Sequence, residues 1–389
     1  MTAQKIQKSG TKFGSSLFIF LAILAIAGFV LAGSYSLRPE WFMVRYEAKN
    51  LEASEYAILS DVSHVKTPAS VRAVYMTACT ASVPSLRNKL SELFGTTAIN
   101  SVVIDIKDYS GTVSIPTKNK ELETDTKIGC RTPDIKDFIA SLHKKGIYVI
   151  GRISVFQDPY YAKLHPELAV AKASDGTIWK DRKGLAFIDV SAKPYWDYIV
   201  QIGKESIDLG FDELNFDYIR FPSDGDMKDI SYPWTGKMEK KEALRLFFGY
   251  LKKEFRGTNI PISADLFGMT TTNKDDLNIG QYLEYALPYF DYVAPMVYPS
   301  HYPPTWNGYK NPAEKPYEVI KYSMDKAYER ASTTPWKLRP WLQDFNLGAI
   351  YTADMVKAQM KAVYDSGLNS WMLWSPSNRY TAGALNYER

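Results

Sequence analysis

Cysteine and histidine are scarce in this chain of 389 residues, which has two of the first and four of the second. Two cysteines cannot staple a small disulfide scaffold or supply a Cys-rich zinc site. The patterns HExxH, GxSxG and CxxC are absent, so zincin and α/β-hydrolase readings fall away. No GxGxxG or GxxxxGK[ST] follows any strand-like run, which argues against a nucleotide partner. Neither sign of charge is in excess. Lys and Arg total 47 against 43 Asp and Glu, and a net charge of +4 is far from a nucleic-acid-binding footprint. Asp224, Asp226 and Asp229 cluster, but without the ordered spacing of a calcium loop. No metal or cofactor is expected.

Long hydrophobic runs are also lacking, with one exception. Residues 1–16 carry Lys5, Lys8 and Lys12 and no acid, and an unbroken apolar run follows from Leu17 to Ala32. With its flanks (17–33) it is just long enough to span a bilayer, and it is at the long end for a signal-peptide core. Anchor and cleaved signal both stay open. In either case the positive flank stays inside and the rest of the chain is exported. The expected layout is a basic cytoplasmic tail (1–16), a membrane segment (17–33), a stem or strap (34–70) and one domain (71–389). That domain lies on the cell surface or periplasmic side, or is secreted if the segment is cleaved. No cysteine follows the run closely, so lipidation is not supported.

From Val71 onward the pattern is regular. Apolar, β-rich runs occupy 71–79, 99–107, 147–156, 211–221, 261–269, 291–298, 338–346 and 370–376. Helical patterns lie between them, at 133–145, 193–209, 238–256, 314–331 and 352–366. Alternating βα units imply a parallel sheet, and eight of them over about 300 residues imply a closed (β/α)8 TIM barrel. An open doubly wound sheet is the competing architecture. Helix-to-strand links are short and carry Gly146, Gly210, Gly257 or Gly367, whereas the strand-to-helix links 108–132, 157–192, 222–237 and 299–313 are long. Elaboration at the C-terminal strand ends is where barrel enzymes keep their chemistry.

Side chains alternate along a strand, so parity assigns faces. In the fourth run Glu213, Asn215 and Asp217 share one parity and Leu214, Phe216 and Tyr218 the other. Helices cover the outside of a barrel, so the polar set faces the axis. The same argument turns Asp105, Lys107, Arg152, Ser154, Asp265, Tyr298, Gln343 and Trp374 inward. Buried carboxylates are costly unless paired or used. One reading is a structural ion network, Asp105 with Lys107 and Asp217 with Arg152. The other is a catalytic pair, Asp217 with Asp265, in an aromatic-rich cleft. Glycoside hydrolysis needs one protonated and one ionised carboxyl. Arg152 beside Asp217 would hold it ionised, and a drier Asp265 could keep its proton. Asp105, Lys107, Arg152, Asn215, Tyr298, His301, Gln343 and Trp374 are then the expected substrate contacts. Aromatics make up 14% of the chain, which suits sugar binding. Trp179, Trp234 and Trp306 lie on long loops as further platform candidates, some of them expected to be loop anchors packed on the barrel, and His143 is expected on a helix surface. Cys79 and Cys130 fall at the mouth of adjacent strands and could pair as a disulfide; two free thiols are the alternative.

The segment GFDELNFDYIRFPSDG (210–225) resembles the strand-four signature of a family of glycoside hydrolase-like TIM barrels, long catalogued as a domain of unknown function. VVIDIKDYSG (102–111), GRISVFQDP (151–159), DYVAPMVYPSHY (291–302) and WMLWSPSNRY (371–380) are similar to its other blocks, so the resemblance spans about 70–380. It implies a barrel and a carbohydrate substrate, with Asp217 as the Asp of the FDYIRFP block. Tyr109 stands where a second Asp after IKD is expected, which weakens a role for that position. The expectation is an exported glycoside hydrolase acting on a surface or extracellular polysaccharide. A catalytically silent carbohydrate-binding barrel at the cell envelope is the alternative, and an extracytoplasmic scaffold a more distant one.

Overall fold

Every one of the eight runs contains a strand. The computed structural model describes residues 62–122 and 129–386. The basic tail, the apolar run 17–33 and the stem up to residue 61 lie outside the described residues. Among the described residues no helix is long and apolar enough to cross a membrane.

The strands are β1 Arg72–Met76, β2 Ser101–Lys107, β3 Tyr148–Ser154, β4 Glu213–Asp217, β5 Ile262–Phe267, β6 Tyr292–Met296, β7 Trp341–Gln343 and β8 Trp371–Trp374. Each pairs in parallel with its sequence neighbour, and β1 also pairs with β8, so the sheet closes on itself. Closure excludes the open doubly wound alternative. The principal outer helices are α1 Ala78–Ser82, α2 Pro84–Ser91, α3 Ile135–His143, α4 Pro159–Leu164, α5 Lys193–Asp208, α6 Lys240–Glu254, α7 Leu283–Ala286, α8 Pro316–Ala331 and α9 Ala353–Asp365.

Parity sorts the core into two shells. Val71, Ala73, Tyr75, Val103, Tyr148, Ile150, Ala294, Trp341 and Met372 pack together along the axis. Val74, Val102, Ile104, Leu214, Phe216, Ala264, Leu342 and Leu373 face the helices in the larger cluster. In α5 the buried set Tyr195, Ile199, Ile202 and Ser206 recurs at three- and four-residue steps, the spacing of one helix face. Gly210, at φ +106°, ends that helix turn in a conformation that L side chains avoid and delivers the chain into β4.

The N-terminal end of the barrel is closed by chain and by charge. Residues 62–70 lie against it. The Val65 N–H donates to Asp212 Oδ1 (2.7 Å), and Thr67 Oγ1 donates to the Tyr148 hydroxyl (3.0 Å). Asp212 Oδ2 accepts from the Val149 N–H (2.8 Å) and pairs with His143 Nε2 (2.9 Å). His143 is therefore a packed helix-to-loop tie, not a free surface residue, because α3 ends directly over the β4 entrance. Inside this end, Arg339 binds both oxygens of Glu213 (2.9 and 3.1 Å) and lies 3.9 Å from the Tyr292 ring centre. The Tyr148 hydroxyl donates to Glu213 Oε2 (2.9 Å).

At the opposite end Cys79 and Cys130 form a disulfide, with Cα atoms 4.8 Å apart. Cys79 lies in α1 and not at the end of the first strand. Thr77 breaks the strand by accepting the Thr80 N–H (3.1 Å) on its side chain, a helix N-cap.

Candidate active site

The C-terminal ends of β2 to β5 bring their polar inward residues into register. Asp105 lies beside Arg152, Arg152 beside Asn215, and Ser154 beside Asp217. Asn215 pairs with Ser263, so Asp217 and Asp265 occupy the equivalent next positions of neighbouring strands. Arg152 is the hub. Its Nη1 donates to Asp105 Oδ1 (2.7 Å), while Nε (3.1 Å) and Nη2 (2.5 Å) both donate to Asp217 Oδ2. The guanidinium lies 5.0 Å from the Trp374 ring centre and 5.6 Å from that of Tyr75. Those rings stack at 3.9 Å, so the stacked pair and two carboxylates surround the cation. The Tyr75 hydroxyl donates to Asp105 Oδ2 (2.5 Å).

The two candidate catalytic carboxyls have unlike surroundings. Asp217 accepts the two Arg152 bonds on Oδ2 and the Tyr218 N–H on Oδ1 (2.6 Å). Asp265 accepts from Asn215 Nδ2 and Trp341 Nε1, each at 2.8 Å and each on Oδ1, which leaves Oδ2 to carry a proton. Burial pushes the Asp265 carboxyl well above the usual carboxylate range, and the Asp217 charge pushes it the same way; Asn215, Arg152 and Trp341 offset only part of this. Burial also raises Asp105, against the opposing pull of Arg152. Burial, with the neighbouring Asp265 and Asp217, drives the Tyr298 phenol well upward, so it stays a neutral donor.

A cavity of about 320 Å³ opens above these groups. Arg152, Asp217 and Asp265 are among its lining residues, together with the aromatic and sulfur side chains of Tyr218, Phe267, Tyr298, Tyr302, Trp374, Met269 and Met296. His301, exposed at the rim, sets its ring edge-on to Tyr298. At Gly268 a Cβ would meet the Met296 carbonyl oxygen at 2.4 Å, so glycine lets the β5 exit lie against β6. A closed α/β barrel with a carboxyl-bearing aromatic cleft at its C-terminal mouth has the layout of a barrel enzyme's site.

Among the residues expected from sequence, Asp217, Asp265, Arg152, Tyr298, His301 and Trp374 converge on this cavity. Asp105 and Asn215 sit behind it as the partners of Arg152 and Asp265. Lys107 is a correction. A bulge between Asp105 and Lys107 shifts the register, so Lys107 lies beside Ile153 and leaves the axis. It pairs with Asp158 (2.9 Å) and not with Asp105, and donates to the Ser154 carbonyl (2.7 Å). Gln343 is a second correction. Its side chain accepts the Ser300 N–H (3.1 Å) and donates to the Phe345 carbonyl (2.9 Å), bracing two loops outside the cavity. Trp179 is buried, with its indole N–H on the Asp226 carbonyl (2.9 Å), and anchors a loop. Among the described residues no group of His, Cys, Asp and Glu could hold a metal ion.

Sequence reasoning missed Tyr218 and Arg220. Parity puts Tyr218 outside, but the strand ends at Asp217 and Tyr218 takes φ +51°, which turns its ring into the mouth. Arg220 is a lone charge in the otherwise apolar exit YIRFP, a signal that could have found it.

A family model described as "Putative glycosyl hydrolase domain" matches residues 73–380, and the chain belongs to that family. A crystallised hypothetical protein from Ruminiclostridium thermocellum is 31% identical, over 53% of this chain and 98% of that one, at a TM-score of 0.44. The PgaB (BpsB) glycoside hydrolase domain from Bordetella bronchiseptica superposes at a TM-score of 0.61 and 14% identity, over 82% of this chain and 100% of that one. The spore cortex-lytic enzyme SleL from Bacillus cereus does so at 0.50 and 11%, over 82% and 74%. At such identities the last two likenesses concern the fold alone. No curated protein matches the chain in sequence.

Proposed function

We propose that this cavity is the active site of a glycoside hydrolase acting on a surface or extracellular polysaccharide. The observation that carries the reading is the unlike pair of carboxyls beside one cavity. Asp265 is dry and touches no cation, whereas Asp217 is bound by a guanidinium. A carboxyl that burial keeps protonated, beside one bound to a guanidinium, offers an acid and an anion to the same cavity. Asp265 would give its proton to the departing glycosidic oxygen, and Asp217 would supply negative charge to the oxocarbenium-like carbon. Tyr298 and Trp374 would bound the sugar, and His301 would meet it at the rim.

Asp217 and Asp265 can be tested with a panel of polysaccharides. The protein should release reducing ends from at least one, and Asp265→Asn should lose most of that release, the remainder no longer declining as pH rises through the range where Asp265 gives up its proton. Glycan binding without cleavage by the unaltered protein would favour the silent carbohydrate-binding barrel.

We further propose that the barrel works outside the cytoplasm, attached through residues 17–33 or released by cleavage after them. The basic flank and apolar run support export, and the Cys79–Cys130 bond suits an oxidising compartment. Protease added to intact cells or spheroplasts should digest the barrel; full protection of a cytosolic protein would contradict this.

A further inference from the structure

Four cationic side chains are buried among the described residues: Lys107, Arg152, Arg220 and Arg339. Three have carboxylate partners within 4 Å. Lys107 has Asp158, Arg152 has Asp105 and Asp217, and Arg339 has Glu213. Arg220 has none among the described residues, although only 8% of it is exposed. Its Nη1 donates to the Phe221 carbonyl (3.1 Å) and to Ser223 Oγ (3.2 Å). Its Nε is buried and has no partner. Arg339 also leaves its Nε unbonded, so that feature alone says little; what sets Arg220 apart is a charge without a counter-charge.

Arg220 lines the cavity. The rings of Phe267, Tyr218 and Phe187 surround its guanidinium, with centres at 5.0, 5.5 and 5.6 Å. They fix the plane of the cation but carry no net charge. Asp217, Asp224 and Asp181 act on it only from beyond ion-pair distance, and burial outweighs them. An ionised group kept dry without a partner is costly, and a ligand that supplies the partner recovers that cost on binding. The Nε of Arg220 is closed off, so a ligand oxygen would meet the guanidinium at its Nη groups, through a charge-assisted hydrogen bond.

We propose that Arg220 is an anion subsite that takes the carboxylate of an acidic sugar, so that the glycan bound here carries uronate-type residues. This deepens the hydrolase reading and rests on it for the ligand being a sugar. The cleavage chemistry stays with Asp217 and Asp265, and Arg220 selects what reaches them.

The test is binding of matched oligosaccharide pairs to the full protein, by calorimetry. One member of each pair is a uronate oligomer (oligogalacturonate, oligomannuronate, oligoglucuronate) and the other is its carboxyl-reduced form. At least one charged member should bind tenfold or more tighter than its reduced partner. Arg220→Gln should abolish that preference, and Arg220→Lys should keep only part of it, since an ammonium keeps the charge but not the reach and planar donors of the guanidinium. If Arg220→Gln fails to fold, the unaltered protein and Arg220→Lys still decide the matter. No preference for the charged member in any pair, or an unchanged preference in Arg220→Lys, would overturn the subsite. Cleavage of neutral and acidic glycans alike would overturn the subsite and leave the hydrolase reading standing. Charge-selective binding without cleavage of any glycan would do the reverse.

Discussion

At the N-terminal end of the barrel, Glu213 and Arg339 neutralise each other, Tyr148 donates to the same carboxylate, and residues 62–70 lie against that end. At the C-terminal end, Arg152 is shared by Asp105 and Asp217, Asp265 stands dry beside them, Arg220 has no counter-charge, and a cavity opens above. Both ends bury ion pairs whose carboxylates stand on inward strand positions, and Glu213 and Asp217 are four residues apart on the same strand. A closed, satisfied pair holds a fold together. A shared, unevenly satisfied cluster that meets a cavity is arranged to act on something else.

Breaking the N-terminal pair should have the largest effect on stability. Arg339→Met leaves Glu213 buried and charged, and should cost about 3–5 kcal/mol in urea unfolding. A loss below about 1 kcal/mol would remove the distinction between the two ends. Replacing Cys79 and Cys130 together by serine should cost about 2–4 kcal/mol. The unaltered protein should show the same loss on reduction, and the double variant should ignore reductant.

The two ends should also respond to pH with opposite signs. Although burial raises it, Asp212 at the closed end is held below the ordinary value of 3.8 by its His143, His64 and Val149 partners. Its contribution is present above that value and is lost as pH falls through its lower folded pKa. Asp265 at the mouth is raised. The folded protein then keeps a proton that the unfolded chain gives up, so its contribution declines as pH rises from about 3.8 toward the folded value. Stability curves of Asp212→Asn and Asp265→Asn should each lose one of these slopes, and equal slopes in both would contradict the assignment. The smallest effect expected is that of Trp374→Phe, about 0.5–1 kcal/mol from a weaker cation–π contact with Arg152. It should appear as a fall of the thermal midpoint by roughly one or two degrees, because the contact lies within the folded protein.

The barrel was legible because alternation of apolar runs with helical segments depends only on burial, and burial leaves its period in the sequence. Parity likewise placed Asp217, Asp265 and Arg152 correctly on the axis. It failed where the backbone departs from regular alternation. The bulge after Asp105 turns Lys107 away, and the positive φ of Tyr218 turns its ring in. Neither leaves a trace in residue order. Gln343 faces inward as expected, but the cavity does not reach it because two loops bond to its amide first.

The most direct measurement sets Glu213→Gln beside Asp217→Asn and records thermal midpoint and glycan turnover for both. In Asp217→Asn, Arg152 keeps Asp105 as partner, so folding should be nearly spared while turnover falls by roughly three or more powers of ten, each worth about 1.4 kcal/mol. Glu213→Gln should lower the midpoint while its folded fraction keeps normal turnover. An unstable Asp217→Asn whose activity falls only in proportion to its folded fraction, or a stable one that remains fully active, would contradict the division of the barrel into a structural and a catalytic end.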